Sequence, residues 1–128
     1  MVYCLMQNTK PLLVRKLYVF LAVIWSLVIL QLCLSESSQL PKIQFLYKDK
    51  IVHFVFYLIF VFQWFKTNLF ATKKKLIALF IIAVVFGIAI EFAQKFCTTT
   101  RSFDVFDMIA NTLGATFTSI YFYRKTNN

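Results

Sequence analysis

The sequence contains few of the residues that soluble or loop-rich proteins use. Charged side chains make up 15% of its 128 residues, whereas a typical soluble domain has about 25%. Two glycines and two prolines exclude a collagen-like scaffold, and three cysteines are too few for a disulfide framework. By contrast, 60% of the residues are hydrophobic and 16 are phenylalanine, which excludes disorder. This composition predicts a small polytopic membrane protein.

Four apolar segments predict an all-α fold, a compact bundle of four transmembrane helices in a single domain spanning residues 1–128. We expect the helices at about 17–34, 49–68, 75–97 and 104–123. A spanning helix needs about 20 residues, so the last three must include the polar residues at their ends. The first segment follows basic residues, as a signal peptide would. Its long apolar run and the lack of a small-residue cleavage site favour a retained helix instead.

The two signs of charge separate between alternate sides of the predicted bundle. Nine cations and no acid occupy the N-terminal flank, the second connection and the C-terminal flank, namely Lys10, Arg15, Lys16, Lys66, Lys73, Lys74, Lys75, Arg124 and Lys125. The other side carries all five acids and five cations. The positive-inside rule then places both termini in the cytoplasm. Because the basic residues only flank apolar runs, we expect no nucleic-acid partner.

Polar residues enter three of the predicted helices from the outer side. They are Asp49, Lys50, His53 and Tyr57 on the second helix, Glu91 and Gln94 on the third, and Asp104, Asp107 and Asn111 on the fourth, with Arg101 before it. A carboxylate at the centre of a membrane costs about 2.5 to 3.5 kcal/mol, so such residues face other helices and are functional by default. The sequence therefore predicts one connected polar site at the outer end.

For two of these polar residues, a structural role explains their position as well as a functional role does. Asp49 and Asp104 lie where an acid caps the N-terminus of a helix, so capping explains them as well as a site does. Capping explains neither Glu91, near a helix C-terminus, nor Asn111, almost two turns inside a helix. We expect Arg101 to pair with one of the acids of the third and fourth helices.

No motif predicts a metal or a cofactor. Metal-ligand spacings of Cys and His, glycine-rich phosphate loops and nucleophile elbows are all missing from the sequence. Cys33 and Cys97 both fall near outer helix ends, and the sequence leaves open whether they pair. His53 is equally consistent with half of an acid–base pair, beside Asp49 or Glu91, and with a satisfied polar core residue.

Three blocks of sequence resemble the VanZ-like family of bacterial membrane proteins. The first is Asp49-Lys50-Ile51-Val52-His53-Phe54 with Tyr57, the second is Glu91-Phe92-Ala93-Gln94, and the third runs from Arg101 through Asp104, Asp107 and Asn111 to Gly114. Their order and spacing match the family over about residues 17 to 123. The family is named for an accessory protein of glycopeptide-resistance clusters linked to teicoplanin tolerance. The resemblance therefore implies a multi-pass protein of the bacterial cytoplasmic (inner) membrane that acts at the cell envelope.

Three functions are consistent with the predicted polar site. The first is a binding or accessory protein whose outer site engages a lipid-linked envelope precursor or an amphiphilic ligand within the lipid bilayer. The second is a membrane-embedded enzyme acting on such a head group, with Glu91 or His53 as base, Arg101 holding an anion and Asp107 orienting. The third is an ion pathway, which the scarcity of polar residues in the middle of the first three helices disfavours.

Overall fold

The computed structural model describes residues 12–36, 38 and 48–126. It contains four helices, which we number α1 (Leu12–Leu34), α2 (Lys48–Lys66), α3 (Lys73–Cys97) and α4 (Val105–Lys125). Because these residues include no strand, the all-α prediction with four helices is confirmed. Helix α1 begins earlier than expected because it includes Arg15 and Lys16, whose exposed side chains can extend to water from the end of an apolar helix.

Local signals define where the helices begin and end. After α2, Asn68 adopts the left-handed conformation (φ 66°) that often terminates a helix. The Thr72 side chain caps the start of α3 by accepting a hydrogen bond from Lys75 N at 3.3 Å. The Asp104 side chain caps α4 by accepting from Phe106 N at 2.8 Å, so the capping interpretation of Asp104 is confirmed. The turns 67–72 and 98–104 therefore fix the chain reversals between consecutive helices.

The helices alternate in direction, which gives the bundle two chemically different ends. All five acids of the chain lie at the end where α1 and α3 finish and α2 and α4 begin. We call this end the acidic end. At the opposite end the described charged residues are all basic, including Lys73 on α3 and Arg124 on α4; we call it the basic end. The charge separation deduced along the sequence is thus present in space.

Helices α2 and α4 form the closest pair in the bundle. Gly114 of α4 lies directly against the backbone of α2 at Phe54. The Thr118 hydroxyl of α4 donates a hydrogen bond to Leu58 O at 3.0 Å. Helix α1 is peripheral, with only Ala22, Ile29 and Cys33 buried. Small residues on α4 thus permit the close helix approach that is common in membrane bundles.

The distribution of polarity is inverted relative to a soluble protein. Large apolar side chains such as Phe117 and Leu113 are exposed, whereas His53, Glu91 and Asn111 are buried. Two helices, Leu12–Leu34 and Lys73–Cys97, are long and apolar enough to cross a membrane. Contiguous exposed apolar surface of this kind indicates contact with lipid or protein. A membrane location is supported, while the expectation of four spans stays a prediction.

Candidate functional site

Four polar side chains from three helices meet inside the acidic end; we call them the buried polar group. They are His53 of α2, Glu91 of α3, and Asp107 and Asn111 of α4, each at most 7% exposed. His53 Nδ1 lies 3.0 Å from Asn111 Oδ1 and 3.9 Å from Glu91 Oε1. On the other side of the ring, His53 Nε2 lies 3.7 Å from Asp107 Oδ2. The imidazole therefore stands between two carboxylates and an amide.

Lys50 joins this buried group to the surface. Its Nζ forms ion pairs with Asp104 Oδ2 and, at 2.8 Å, with Asp107 Oδ1. The Lys50 and Asp104 side chains are 31% and 32% exposed, so they form a charged rim above the buried polar group. The hydrogen bond from Lys50 lowers the pKa of Asp104. Both members of the rim pair are therefore charged at neutral pH, and they present opposite charges side by side.

The expected ion pair of Arg101 with Glu91, Asp104 or Asp107 is wrong. The Arg101 guanidinium instead donates from Nη1 to Leu32 O at 3.2 Å and to Cys33 O at 3.3 Å. The last carbonyls of a helix lack intrahelical partners and attract cationic donors. Arg101 therefore binds the C-terminus of α1, and the cation that pairs with Asp104 and Asp107 is Lys50.

Two further side chains fasten α1 to the rest of the acidic end. Gln94 Nε2 donates to Cys33 O at 2.8 Å. Glu36 accepts hydrogen bonds from the backbone N–H of Thr99 and Thr100, at 2.9 and 3.0 Å, and from both hydroxyls. These bonds, led by the Thr100 hydroxyl, lower the pKa of Glu36 to about 2. Gln94 thus has a structural role. The sequence did not predict the Glu36 contact, because its partners lie 63 and 64 residues away along the chain.

The two remaining predicted site residues of α2, Asp49 and Tyr57, lie in different environments. Asp49 is exposed on the first turn of α2. Tyr57 is fully buried and lies deeper in the bundle, where a Cβ added to Gly87 would be 3.4 Å from its ring and 3.1 Å from Asn111 Nδ2. Tyr57 and Asn111 thus share the space that Gly87 leaves. The structure brings Tyr57 toward the buried polar group and leaves Asp49 outside it.

Several atoms of this region are buried without a hydrogen-bond partner. Among the described residues they include Tyr57 Oη, Glu91 Oε1 and Asn111 Nδ2. Glu91 is reached by Asp104 N, which donates to its other oxygen, Oε2, at 3.3 Å. Buried polar atoms are nearly always paired, and each exception calls for an explanation such as a bound ion or water. The buried polar group thus contains polar atoms that could still bind an ion or a water molecule.

His53, Glu91 and Asp107 could hold a metal ion. One ligand atom from each of the three lies within 4.8 Å of the others. The sequence predicted no metal site because the three residues belong to different helices and show no local spacing. Cys33 and Cys97 take no part, and both are free thiols, so the pairing that the sequence left open is not formed.

Two surface grooves lie elsewhere on the protein. A groove of about 420 Å³ runs along α4 near the basic end, lined in part by Phe117, Tyr121 and Arg124. A second, of about 440 Å³, follows the outer face of α1 from Ile24 to Leu34. Neither includes a residue of the buried polar group. Because the side chains of that group are at most 7% exposed, they suit an ion or a water, and a larger ligand would contact the rim, whose side chains are about one-third exposed.

The profile of the VanZ/LLP1 family matches residues 3–125, nearly the whole chain. The chain belongs to the VanZ/LLP1 family. The resemblance deduced from the three sequence blocks is thereby confirmed. No curated protein and no solved structure matches the chain. The VanZ/LLP1 family assignment, together with the two long apolar helices, supports a membrane protein.

Proposed function

We propose that all four helices of this VanZ/LLP1 protein cross the bacterial cytoplasmic membrane, with both termini inside and the acidic end outside. The support is the charge at the basic end, where Lys73, Lys74 and Lys75 occupy the first turn of α3. Cations at a helix N-terminus oppose the helix dipole, so helix stability does not explain them, whereas the positive-inside rule does.

Cysteine labelling of intact cells tests this orientation. Thr99 at the acidic end and Thr72 at the basic end are both exposed, which makes them a matched pair. After the native cysteines are replaced, a membrane-impermeant maleimide should label the Thr99→Cys variant and miss the Thr72→Cys variant until the cells are opened. Labelling of Thr72→Cys in intact cells would refute the orientation.

The acidic end then acts as a binding site for a polar head group at the outer membrane surface. The observation that carries this proposal is the rim, where Lys50 and Asp104 stand side by side, each about one-third exposed. A cation and an anion in contact suit a zwitterionic or phosphorylated head group, since charge-assisted hydrogen bonds can form to both parts. A lipid-linked envelope precursor or an amphiphilic antibiotic offers such a group, together with an apolar chain for the exposed helix surfaces.

Native mass spectrometry of the detergent-purified protein tests head-group binding. Wild type should retain a lipid, and Lys50→Gln should lose it. Lys95→Gln is the matched control because Lys95 lies at the same end, is exposed and forms no ion pair within the described residues. Equal lipid retention by the two variants, or none by wild type, would contradict the proposal.

The family link to teicoplanin tolerance supplies a test in cells. Expression of wild type in a susceptible Gram-positive host should raise tolerance to teicoplanin, which carries an acyl chain, more than tolerance to vancomycin, which does not. The Lys50→Gln variant should insert normally, because the apolar helices and cytoplasmic lysines that direct insertion are unchanged. It should nevertheless lose the effect. A wild-type effect that persists in Lys50→Gln would assign the rim a structural role.

A membrane-embedded enzyme is the second candidate, and one observation favours it. His53 lies within 4 Å of carboxylate oxygens of both Glu91 and Asp107, an arrangement in which an imidazole can exchange a proton with a substrate. Such an enzyme would convert a head group at the rim. Turnover of labelled envelope lipids by reconstituted wild type, abolished by His53→Ala, would support catalysis; unchanged lipids would leave binding as the function.

A further inference from the structure

We propose that His53, Glu91 and Asp107 bind a divalent transition-metal cation of the Zn²⁺ or Mn²⁺ class. The inference does not depend on head-group binding at the rim. One imidazole and two carboxylates form a mixed nitrogen and oxygen donor set, which suits these ions better than the all-oxygen preference of Mg²⁺ or Ca²⁺. Each donor comes from a different helix, so a bound ion would connect α2, α3 and α4.

The spacing of the donors is close to that of a metal site. His53 Nδ1 and Glu91 Oε1 are 3.9 Å apart, and His53 Nε2 and Asp107 Oδ2 are 3.7 Å apart. Ligand atoms at about 2.1 Å from a tetrahedral ion are about 3.4 Å from one another. These two contacts use opposite nitrogens of the ring, and only one nitrogen can bind a given ion. One ligand atom from each residue nevertheless lies within 4.8 Å of the other two, so side-chain movements of about 1 Å would bring one nitrogen and two carboxylate oxygens to coordinating distance.

The hydrogen bonding of His53 leaves a lone pair facing a carboxylate. Asn111 Oδ1 can only accept, so the 3.0 Å contact requires a proton on His53 Nδ1. In the neutral ring, Nε2 then carries a lone pair and faces Asp107 Oδ2 at 3.7 Å. Two acceptors that face each other repel unless a cation lies between them. Asn111 would act as the outer partner that fixes the tautomer of a metal-binding histidine.

Glu91 provides the second, independent indication of a ligand. Its side chain is fully buried and its Oε1 has no hydrogen-bond donor. An unpaired carboxylate oxygen in an apolar interior is costly, because it loses water without gaining a partner. Oε1 lies 3.9 Å from His53 Nδ1, the protonated nitrogen, so the Glu91 side chain would rotate toward a cation on the Nε2 side of the ring, and that cation would satisfy it.

The charge of the region also fits a divalent ion. When ionised, the three carboxylates of Glu91, Asp104 and Asp107 have one ammonium among them, that of Lys50. With His53 neutral, two negative charges remain. The Arg101 guanidinium does not pair with them, because it binds the carbonyl oxygens at the end of α1. One divalent cation would restore neutrality, and its route from outside would be the rim.

Isothermal titration of the purified, chelator-treated full-length protein with Zn²⁺ and Mn²⁺ tests the site. Wild type should bind about one equivalent, Glu91→Gln should bind at least tenfold more weakly, and Asn111→Ala should lose about 10- to 100-fold, as expected for an outer-shell partner. Glu36→Gln is the matched control, since Glu36 is an acid of the same end that lies in another contact. Absence of saturable binding, or equal affinity in Glu91→Gln and wild type, would overturn the site.

A spectroscopic measurement on wild type keeps the proposal testable if the variants do not fold. Electron spin-echo modulation of bound Mn²⁺ should show coupling to a histidine nitrogen, which can only come from His53 because the chain contains one histidine. Binding without nitrogen coupling would place the ion on surface carboxylates and overturn the assignment. Because Glu91 forms no ion pair with Lys50 or Asp104, Glu91→Gln should lose the metal and keep the lipid, so the two proposals can fail separately.

Discussion

Replacing Gly114 with alanine is the most direct test of the close contact between α2 and α4. A Cβ at this position would lie 2.1 Å from Phe54 O, 3.0 Å from Phe54 C and 3.1 Å from Leu58 N. All three are backbone atoms, so no change of rotamer can relieve the overlap. The two helices must separate by about 1 Å to restore an ordinary contact distance.

The expected cost of this separation exceeds the intrinsic gain from alanine. Alanine is favoured over glycine inside a helix by about 1 kcal/mol. Overpacking costs about 1 to 3 kcal/mol, and a gap of about 1 Å forfeits up to half of the dispersion energy of the contacts it opens. The hydrogen bond from Thr118 to Leu58 O lies one turn away and would weaken as well. We expect a net destabilisation of about 1 to 3 kcal/mol.

The measurement is the free energy of unfolding in mixed detergent micelles, with Gly87→Ala as the matched control. The Cβ added at Gly87 first meets Asn111 Nδ2, at 3.1 Å, which belongs to a side chain and can shift. That variant should stay within about 1 kcal/mol of wild type. If Gly114→Ala is as stable as wild type or more stable, α2 and α4 do not approach as closely as described here.

Two further predictions concern the attachment of α1. Because the pKa of Glu36 is lowered to about 2, its contact with Thr99 and Thr100 should be intact above the ordinary glutamate pKa and be lost as pH falls toward 2. NMR titration of the two amide shifts measures this, and a midpoint near 4.5 would contradict it. Arg101→Gln should loosen the end of α1 and make the buried thiol of Cys33 reactive toward a small maleimide, as read by peptide mass mapping; an unreactive Cys33 would show that Arg101 is dispensable for docking.

The sequence was sufficient to predict four helices, because apolar runs of this length, bounded by charged residues, are too long to be strands. It also predicted that all acids gather at one end, since helices joined by short turns must alternate in direction. The buried positions of His53, Glu91 and Asn111 followed from the cost of placing polar side chains against lipid. These conclusions need only chain order, residue type and the thickness of a membrane.

Helical rotation, which only packing reveals, decided which polar residues of α2 enter the bundle. Tyr57 is fully buried and marks the inward direction. Lys50 precedes it by seven residues, a rotation that returns to within about 20° of the same direction. Asp49 precedes it by eight residues and deviates by about 80°. The sequence grouped both Asp49 and Lys50 with the site; the structure places Lys50 against Asp107 and leaves Asp49 exposed.

The partners of the charged residues were likewise decided by the tertiary structure. Arg101 and Lys50 both lie near the same acids in the sequence pattern, and charge alone favours either pairing. The C-terminal carbonyl oxygens of α1 are acceptors without intrahelical partners, and no sequence motif predicts that they lie near Arg101. Because the fold places them within reach, the Arg101 guanidinium binds them and does not pair with the acids. A side chain binds what the fold places within its reach, so the sequence determined which charges meet at the acidic end and the packing of α1 determined which of them pair.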